Sequence, residues 1–290
     1  MSESAFERLR GWAVEYPGST RAVASMRVGL TLLAWGELGE AVQPHKTSPL
    51  LSVFFYASSF LSLVGYRAAW TTFAAGLAYM LVLVFVPNQM LHHTYLLAVS
   101  TMLLAMTPCG RSLSIDRLLA VRRARAAGAP LPEEHGNLWA LRLIALELTA
   151  VFFWGGYNKI TFGTQHLQTA FLTGDRIEQI LVYYYSGLPV QTPGWAKLGL
   201  ALMGTGVVVF EMAAAILLWI PKYRLKVLAA CVVMTSCFQV ALAIRAFGLL
   251  SYVLYLAFVP PELVHRAFDR LLGSGKDADR PGDVEEDTRA

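Results

Sequence analysis

ELTAVFFWGGYNKI, residues 147–160, is an apolar run that closes on a lysine. With its neighbours from Leu138 it is long enough to cross a bilayer, which takes ~20 apolar residues as a helix. Gly155 and Gly156 remove side chains just before the charge and so admit a second backbone at close range. Ionisable groups within or at the rim of a membrane segment are costly to bury and mark pathways, ion pairs or sites. Lys159 is therefore the first candidate for function. The competing reading is a lysine that snorkels to the headgroups from a helix end.

Working outward, the rest of the chain belongs to the same class. Of 290 residues, 56% are hydrophobic and 15% charged, with a mean hydropathy of +0.48, which a soluble domain of this size does not show. The expectation is an all-α integral membrane protein, a polytopic helical bundle of about eight transmembrane helices. The apolar runs place these helices at roughly 20–42, 50–66, 68–87, 91–108, 138–160, 196–220, 225–245 and 247–264. This divides the chain into a cytoplasmic N-terminal segment, 1–19, one transmembrane domain, 20–264, and a cytoplasmic tail, 265–290, polar and acidic enough to be largely disordered.

The net charge of +4 is modest and its arginines fall between apolar runs, so it orients a membrane protein and gives no footprint for nucleic acid. Eight crossings put both termini and the basic linker 110–136 on one face, with Arg8, Arg10, Arg67, Arg111, Arg122, Arg123 and Arg125 among its cations. The positive-inside rule makes that face cytoplasmic in a bacterial inner membrane, and places Lys159 on the extracytoplasmic side. Within the linker, SLSIDRLLAVRRARAA can be read as a helix lying on an anionic leaflet or, preferably, as an ordinary topology-setting loop. The outer segment 161–195 holds His166 and Tyr183 to Tyr185, and its length makes it a cap over the neighbouring helix ends.

Further polar residues fall within the apolar runs. His92, His93 and Tyr95 open the fourth helix at the depth expected for Lys159, with Tyr157 and Asn158 beside the lysine; of these, His92, Tyr95, Tyr157 and Asn158 are the candidate substrate-binding groups. Adjacent histidines point about 100° apart on a helix, so they form a poor metal chelate without Glu37, Glu40 or His166, and no metal is expected. Arg27, Glu147 and Glu211, counted from the ends of their helices, fall at comparable depth and read as a structural charge cluster. Glu147 is twelve residues from Lys159, about 18 Å along a helix, too far for a direct bond. Cys109, Cys231 and Cys237 form no CxxC pair, which argues against dithiol chemistry. A desolvated lysine is partly neutral and can act as a general base toward an acid that partitions into lipid, such as a quinol hydroxyl.

Six short motifs occur in order: RVGLTLL from Arg27, GYR at Gly65–Arg67, HHTYLLA at His92–Ala98, LSIDRLL at Leu113–Leu119, GGYNKI at Gly155–Ile160 and GLLSYV at Gly248–Val253. Together they resemble the membrane domain of vitamin K-dependent gamma-glutamyl carboxylase and its bacterial relatives, the horizontally transferred transmembrane, or HTTM, proteins. The resemblance implies Lys159 as the base that deprotonates a reduced quinone of the vitamin K or menaquinol type, with His93 as a polar partner in the catalytic region. In the carboxylase, oxygen then adds, and an alkoxide takes a proton from a glutamate before carbon dioxide is captured. The chain departs from that pattern. The position of Glu147 carries an amide in the carboxylase, Thr161-Phe162-Gly163 follow the lysine, a second family histidine falls near Phe238 and Gln239, and no large lumenal portion follows the last helix. The resemblance thus favours quinol-linked oxygenation or proton abstraction over protein carboxylation. Its alternative is a non-catalytic membrane partner in maturation or export of a secreted peptide, as for a sporulation-delaying toxin. The partners expected are the lipid bilayer and, on either reading, a secreted peptide.

Overall fold

A computed structural model describes residues 5–161, 172–175, 177–178, 193–242 and 245–272. In chain order its elements are α1 (Ala5–Val14), β1 (Pro17–Ser19), α2 (Arg21–Leu38), α3 (Pro49–Val64), α4 (Ala68–Phe85), α5 (His92–Leu104), α6 (Ile115–Ala126), β2 (His135–Asn137), α7 (Ala140–Thr161), α8 (Gly194–Leu217), α9 (Pro221–Leu242), α10 (Arg245–Tyr255) and α11 (Pro261–Leu272). The expected all-α membrane bundle is present. Most of the outer segment 161–195 lies outside the described residues, as do His166 and Tyr183 to Tyr185.

Each apolar run carries a helix, but the eight are not equivalent crossings. Among the described residues, four helices are long and apolar enough to span a membrane: Ala68–Phe85, Ala140–Ile160, Gly194–Leu217 and Pro221–Val240. Pro49–Val64 is apolar but shorter. At ~1.5 Å per residue, the 13 residues of α5 and the 11 of α10 reach about 20 and 17 Å against a hydrocarbon core of ~30 Å. Proline explains the shortfall: Pro108, and Pro260 with Pro261, interrupt runs that composition alone would continue.

The centre of the bundle is α2, with Ala22, Val23, Ala24, Met26, Arg27, Leu30, Thr31, Ala34 and Leu38 all buried. The α3–α4 hairpin, α5, α10 and α11 pack around it. On the far side of α5 and α10 stands α7, and α8 lies along α7. One end of the bundle carries the antiparallel pair β1–β2, in the register Pro17 to Asn137, Gly18 to Gly136 and Ser19 to His135. We call this the strand end and its opposite the lysine end.

The strand end reaches further along the chain than the sequence suggests. Residues 265–272, at the start of the expected cytoplasmic tail, complete α11, and that helix is fastened by side chains. Arg21 pairs with Glu134 and Asp269, each at 2.6 Å, His265 Nδ1 lies 2.8 Å from Ser19 Oγ, and the Ser19 N–H donates to Glu262. The basic linker is likewise more than a loop, since α6 forms within it, capped by Ser114 Oγ accepting from the Arg117 N–H.

Arg27 is almost wholly buried, and its guanidinium donates to the carbonyls of Ser62 and Leu63 at the end of α3 and to those of Cys109 and Leu113. The last carbonyls of a helix have no partner within it, so a cation there satisfies them and meets the negative end of the helix dipole. Gly65 closes α3 at φ +69°, and a Cβ there would overlap the side chain of Ser114. Asp116, on α6, then accepts from the Arg67 and Ala68 N–H groups at 2.8 and 2.7 Å and so caps the start of α4. Leu113 is held at φ +46°, a conformation leucine avoids, with its carbonyl 2.6 Å from the guanidinium of Arg27.

Candidate functional site

The site is built where α7 meets α8. Small residues bring these helices together: a Cβ on Gly156 would come within 2.7 Å of Met212 Cγ and 3.3 Å of the Val208 carbonyl. One bond fixes their register, Trp219 Nε1 donating to Thr149 Oγ1 at 2.9 Å. Following these antiparallel helices toward the lysine end, Lys159 comes opposite Glu211. Its Nζ donates to both carboxylate oxygens, at 2.8 and 2.6 Å, and both side chains are largely buried. The pair lies over Gly155, where a Cβ would stand 3.4 Å from Glu211 Oε2 and 3.7 Å from Lys159 Nζ. A larger side chain at Gly155 would press on the ion pair itself.

The expected cluster of Arg27, Glu147 and Glu211 does not form. Each occupies a separate place: Arg27 caps α3, Glu147 accepts from Ser100 Oγ on α5 at 3.2 Å, and Glu211 holds Lys159. The error lay in counting depth from each helix's own end as though the ends were flush. Trp219, just past the end of α8, sits against Thr149, so α7 runs on for nine further residues toward the strand end before it reaches Ala140. Glu211 therefore stands level with the far end of α7, well away from Glu147.

His93 has a different partner, its Nε2 lying 3.7 Å from the carboxylate of Glu37 on α2. Counting outward from the Ser100–Glu147 bond, His93 stands about 10 Å and Lys159 about 18 Å toward the lysine end. They share that end, offset by roughly 8 Å. His92, Tyr95 and Asn158 are exposed. Tyr157 stacks on Phe153 with ring centroids 6.0 Å apart and meets Trp154 edge-on at 5.3 Å, an exposed aromatic strip on the face of α7 turned from Lys159 by two residues, about 200°. Among the described residues no group of three or more His, Cys, Asp or Glu gathers as a metal would require.

The family model described as the HTTM domain matches residues 38–262. This chain belongs to the HTTM family. No curated protein and no solved structure matches it. The HTTM match begins on the last residue of α2 and ends on the second of α11, so it contains both helices of the Lys159–Glu211 pair and leaves out Arg27 and β1. Of the six motifs, three supply the strand-end scaffold through Arg27, Gly65 and Asp116, whereas GGYNKI supplies the ion pair.

Glu211 is the partner of Lys159 that helix-end counting misplaces, yet the sequence carries a sign of the pairing. Lys159 is the one Asp, Glu, Lys or Arg between Glu147 and Asp175, and Glu211 is the one between Lys197 and Lys222. Lone opposite charges in successive apolar helices are expected to find each other, because each is costly to bury alone.

Proposed function

We propose that this HTTM protein is a membrane-embedded enzyme of the vitamin K-dependent carboxylase kind, abstracting a proton from a lipid-soluble quinol with Lys159 as base and Glu211 as its proton partner. The observation that carries the reading is the two-pronged Lys159–Glu211 bond, formed within apolar helices and seated over Gly155. Family membership supports the carboxylase-related membrane domain, and the quinol is inferred from the chemistry a buried amine can perform.

An ammonium has no lone pair, so the paired lysine is not itself a base. In a low-dielectric site the pair can exchange two charges for none by passing one proton from Nζ to a carboxylate oxygen, leaving an amine and a carboxylic acid. The amine then takes the hydroxyl proton of the quinol. The products are a quinolate, the restored ammonium and a protonated Glu211, so protons and charge balance. The ammonium formed beside the quinolate stabilises it electrostatically. The quinolate is the electron-rich form that reacts with dioxygen, the co-substrate this reading requires.

The test is oxidation of menaquinol under oxygen by the purified chain, with Lys159→Met and Glu211→Gln alongside and the product analysed for epoxide. Lysine-dependent turnover that falls at least about 100-fold in both variants is expected from loss of a general base or its partner. Absence of turnover in the unaltered, folded protein would overturn the reading and leave the non-catalytic role in peptide maturation.

A further inference from the structure

Arg142, in the first turn of α7, has no acceptor. Among the described residues its guanidinium makes no hydrogen bond and no ion pair, and its Nη1 is enclosed without a partner. What holds it is aromatic: its Cζ lies over the rings of Trp12 and Tyr16, 4.9 and 4.7 Å from their centroids. Other arginines of the strand end are supplied, Arg21 and Arg117 by Glu134 and Arg27 by backbone carbonyls. The placing of Arg142 carries two costs. A buried donor without a partner forfeits its hydration, and a cation in the first turn of a helix opposes the helix dipole. The fold thus holds a flat cationic group ready and supplies it with no anion.

A second cation approaches the same tyrosine. Burial pushes the Tyr16 phenol up, and Arg224 and Arg142 both pull it down, so the two guanidiniums stand close to it. Arg224, in the first turn of α9, gives its Nε to the Leu218 carbonyl at 3.1 Å and meets no carboxylate among the described residues. Trp219 joins the group, its ring centroid 5.9 Å from that of Trp12. The depth of the cluster is set by α7. Arg142 stands two residues in from the first of a helix long and apolar enough to span a membrane. That is the rim of the hydrocarbon core, where headgroup phosphates lie and where tryptophan and tyrosine rings gather.

We propose that Arg142, with Arg224 on the other side of Tyr16, binds the phosphate of an anionic membrane phospholipid. A guanidinium presents parallel N–H groups that match two oxygens of a phosphate, and a ring against its face leaves those edges free. Two arginines without a carboxylate give a headgroup amine nothing to pair with. The site therefore selects a lipid such as phosphatidylglycerol over one with an ammonium headgroup. The bound lipid is structural, joining α1 to the roots of α7 and α9 at the end of the bundle remote from Lys159, and the inference stands apart from the chemistry proposed there.

The experiment uses the full chain, stripped of lipid in detergent, with dioleoylphosphatidylglycerol, dioleoylphosphatidylethanolamine, dioleoylglycerol or inorganic phosphate added in turn. Binding is read by native mass spectrometry and by the rise in melting temperature. Phosphatidylglycerol is expected to bind about tenfold more tightly than phosphatidylethanolamine, and the glycerolipid without phosphate and the phosphate without lipid to protect little. Arg142→Met is expected to bind phosphatidylglycerol about tenfold more weakly and to lose most of the lipid-induced rise, with Arg142→Lys, a cation without the planar fork, between the two. Arg224→Met weakens the same lipid with Arg142 in place, which keeps the test decisive however Arg142→Met folds. Unchanged phosphatidylglycerol binding by either methionine variant overturns the assignment, as does an Arg142→Met protein that melts lower by the same amount with and without lipid, the mark of an arginine that only packs. Equal binding of phosphatidylethanolamine or of dioleoylglycerol overturns the choice of an anionic lipid, and equal protection by inorganic phosphate overturns the membrane as the source of the anion.

Discussion

Breaking a buried ion pair from one side strands the other charge, which typically costs about 3 kcal/mol. Lys159→Met is therefore expected to lower the melting temperature in detergent, and Lys159→Met with Glu211→Met together to recover much of the loss, because two apolar side chains leave nothing unpaired. A double-mutant cycle of melting curves measures that coupling; simple additivity would show that the pair contributes nothing. At Arg27 the expected loss comes from geometry more than charge. Arg27→Lys keeps the cation but cannot serve four carbonyls with a planar fork, and should destabilise by about 2 kcal/mol in a chemical-unfolding series. The charge at Lys159 stands out in the sequence because it is the one Asp, Glu, Lys or Arg between Glu147 and Asp175. Its pairing with Glu211 is not legible there, because distance from the end of α8 fixes no depth in α7, and a sequence does not reveal how two helices are offset. Arg27 was legible as buried but not as a cap, since its acceptors are backbone carbonyls, which every residue possesses.

For the helices, each of the eight apolar runs carries one, and their ends were set by features that hydropathy blurs. Prolines shorten α5 and α10, and a left-handed glycine ends α3. The start of α4 depends on a carboxylate borrowed from α6, so Asp116→Ala is expected to loosen the α3–α4 turn at about 1–2 kcal/mol, with Asp116→Asn intermediate. Hydrogen exchange of the amides at 67 and 68 reads the cap directly, and unchanged protection would rule it out. The contact between α7 and α8 depends on the absence of side chains. Gly156→Leu would drive into Met212 and Val208 and should part the helices by more than the Lys159–Glu211 bond can follow. Loss of turnover with the protein still folded is the expected result, and normal turnover would show that the pair tolerates the separation. The paired glycines were readable in advance as a close approach; which helix would use it was not.

Across the whole molecule, the two ends are organised differently. The strand end ties α2, the linker and α11 through charged side chains, whereas among the described residues the lysine end holds the pairs Lys159–Glu211, His93–Glu37 and Lys46–Glu40. A chain cut after Pro260 is expected to lose the contacts of Ser19 and Arg21 with α11 and to unfold more readily under protease at the strand end. Limited proteolysis of the truncated and full chains makes that comparison. The fastening at Arg21 also sets a timetable. Arg21 is made early in translation and Glu134 follows it by 113 residues, but Asp269 follows it by 248, so the two-sided fastening at the root of α2 is complete only once α11 has been synthesised. Closure of that second contact thus requires that the chain has been made through α11, and a product interrupted before it leaves one side of the fastening open.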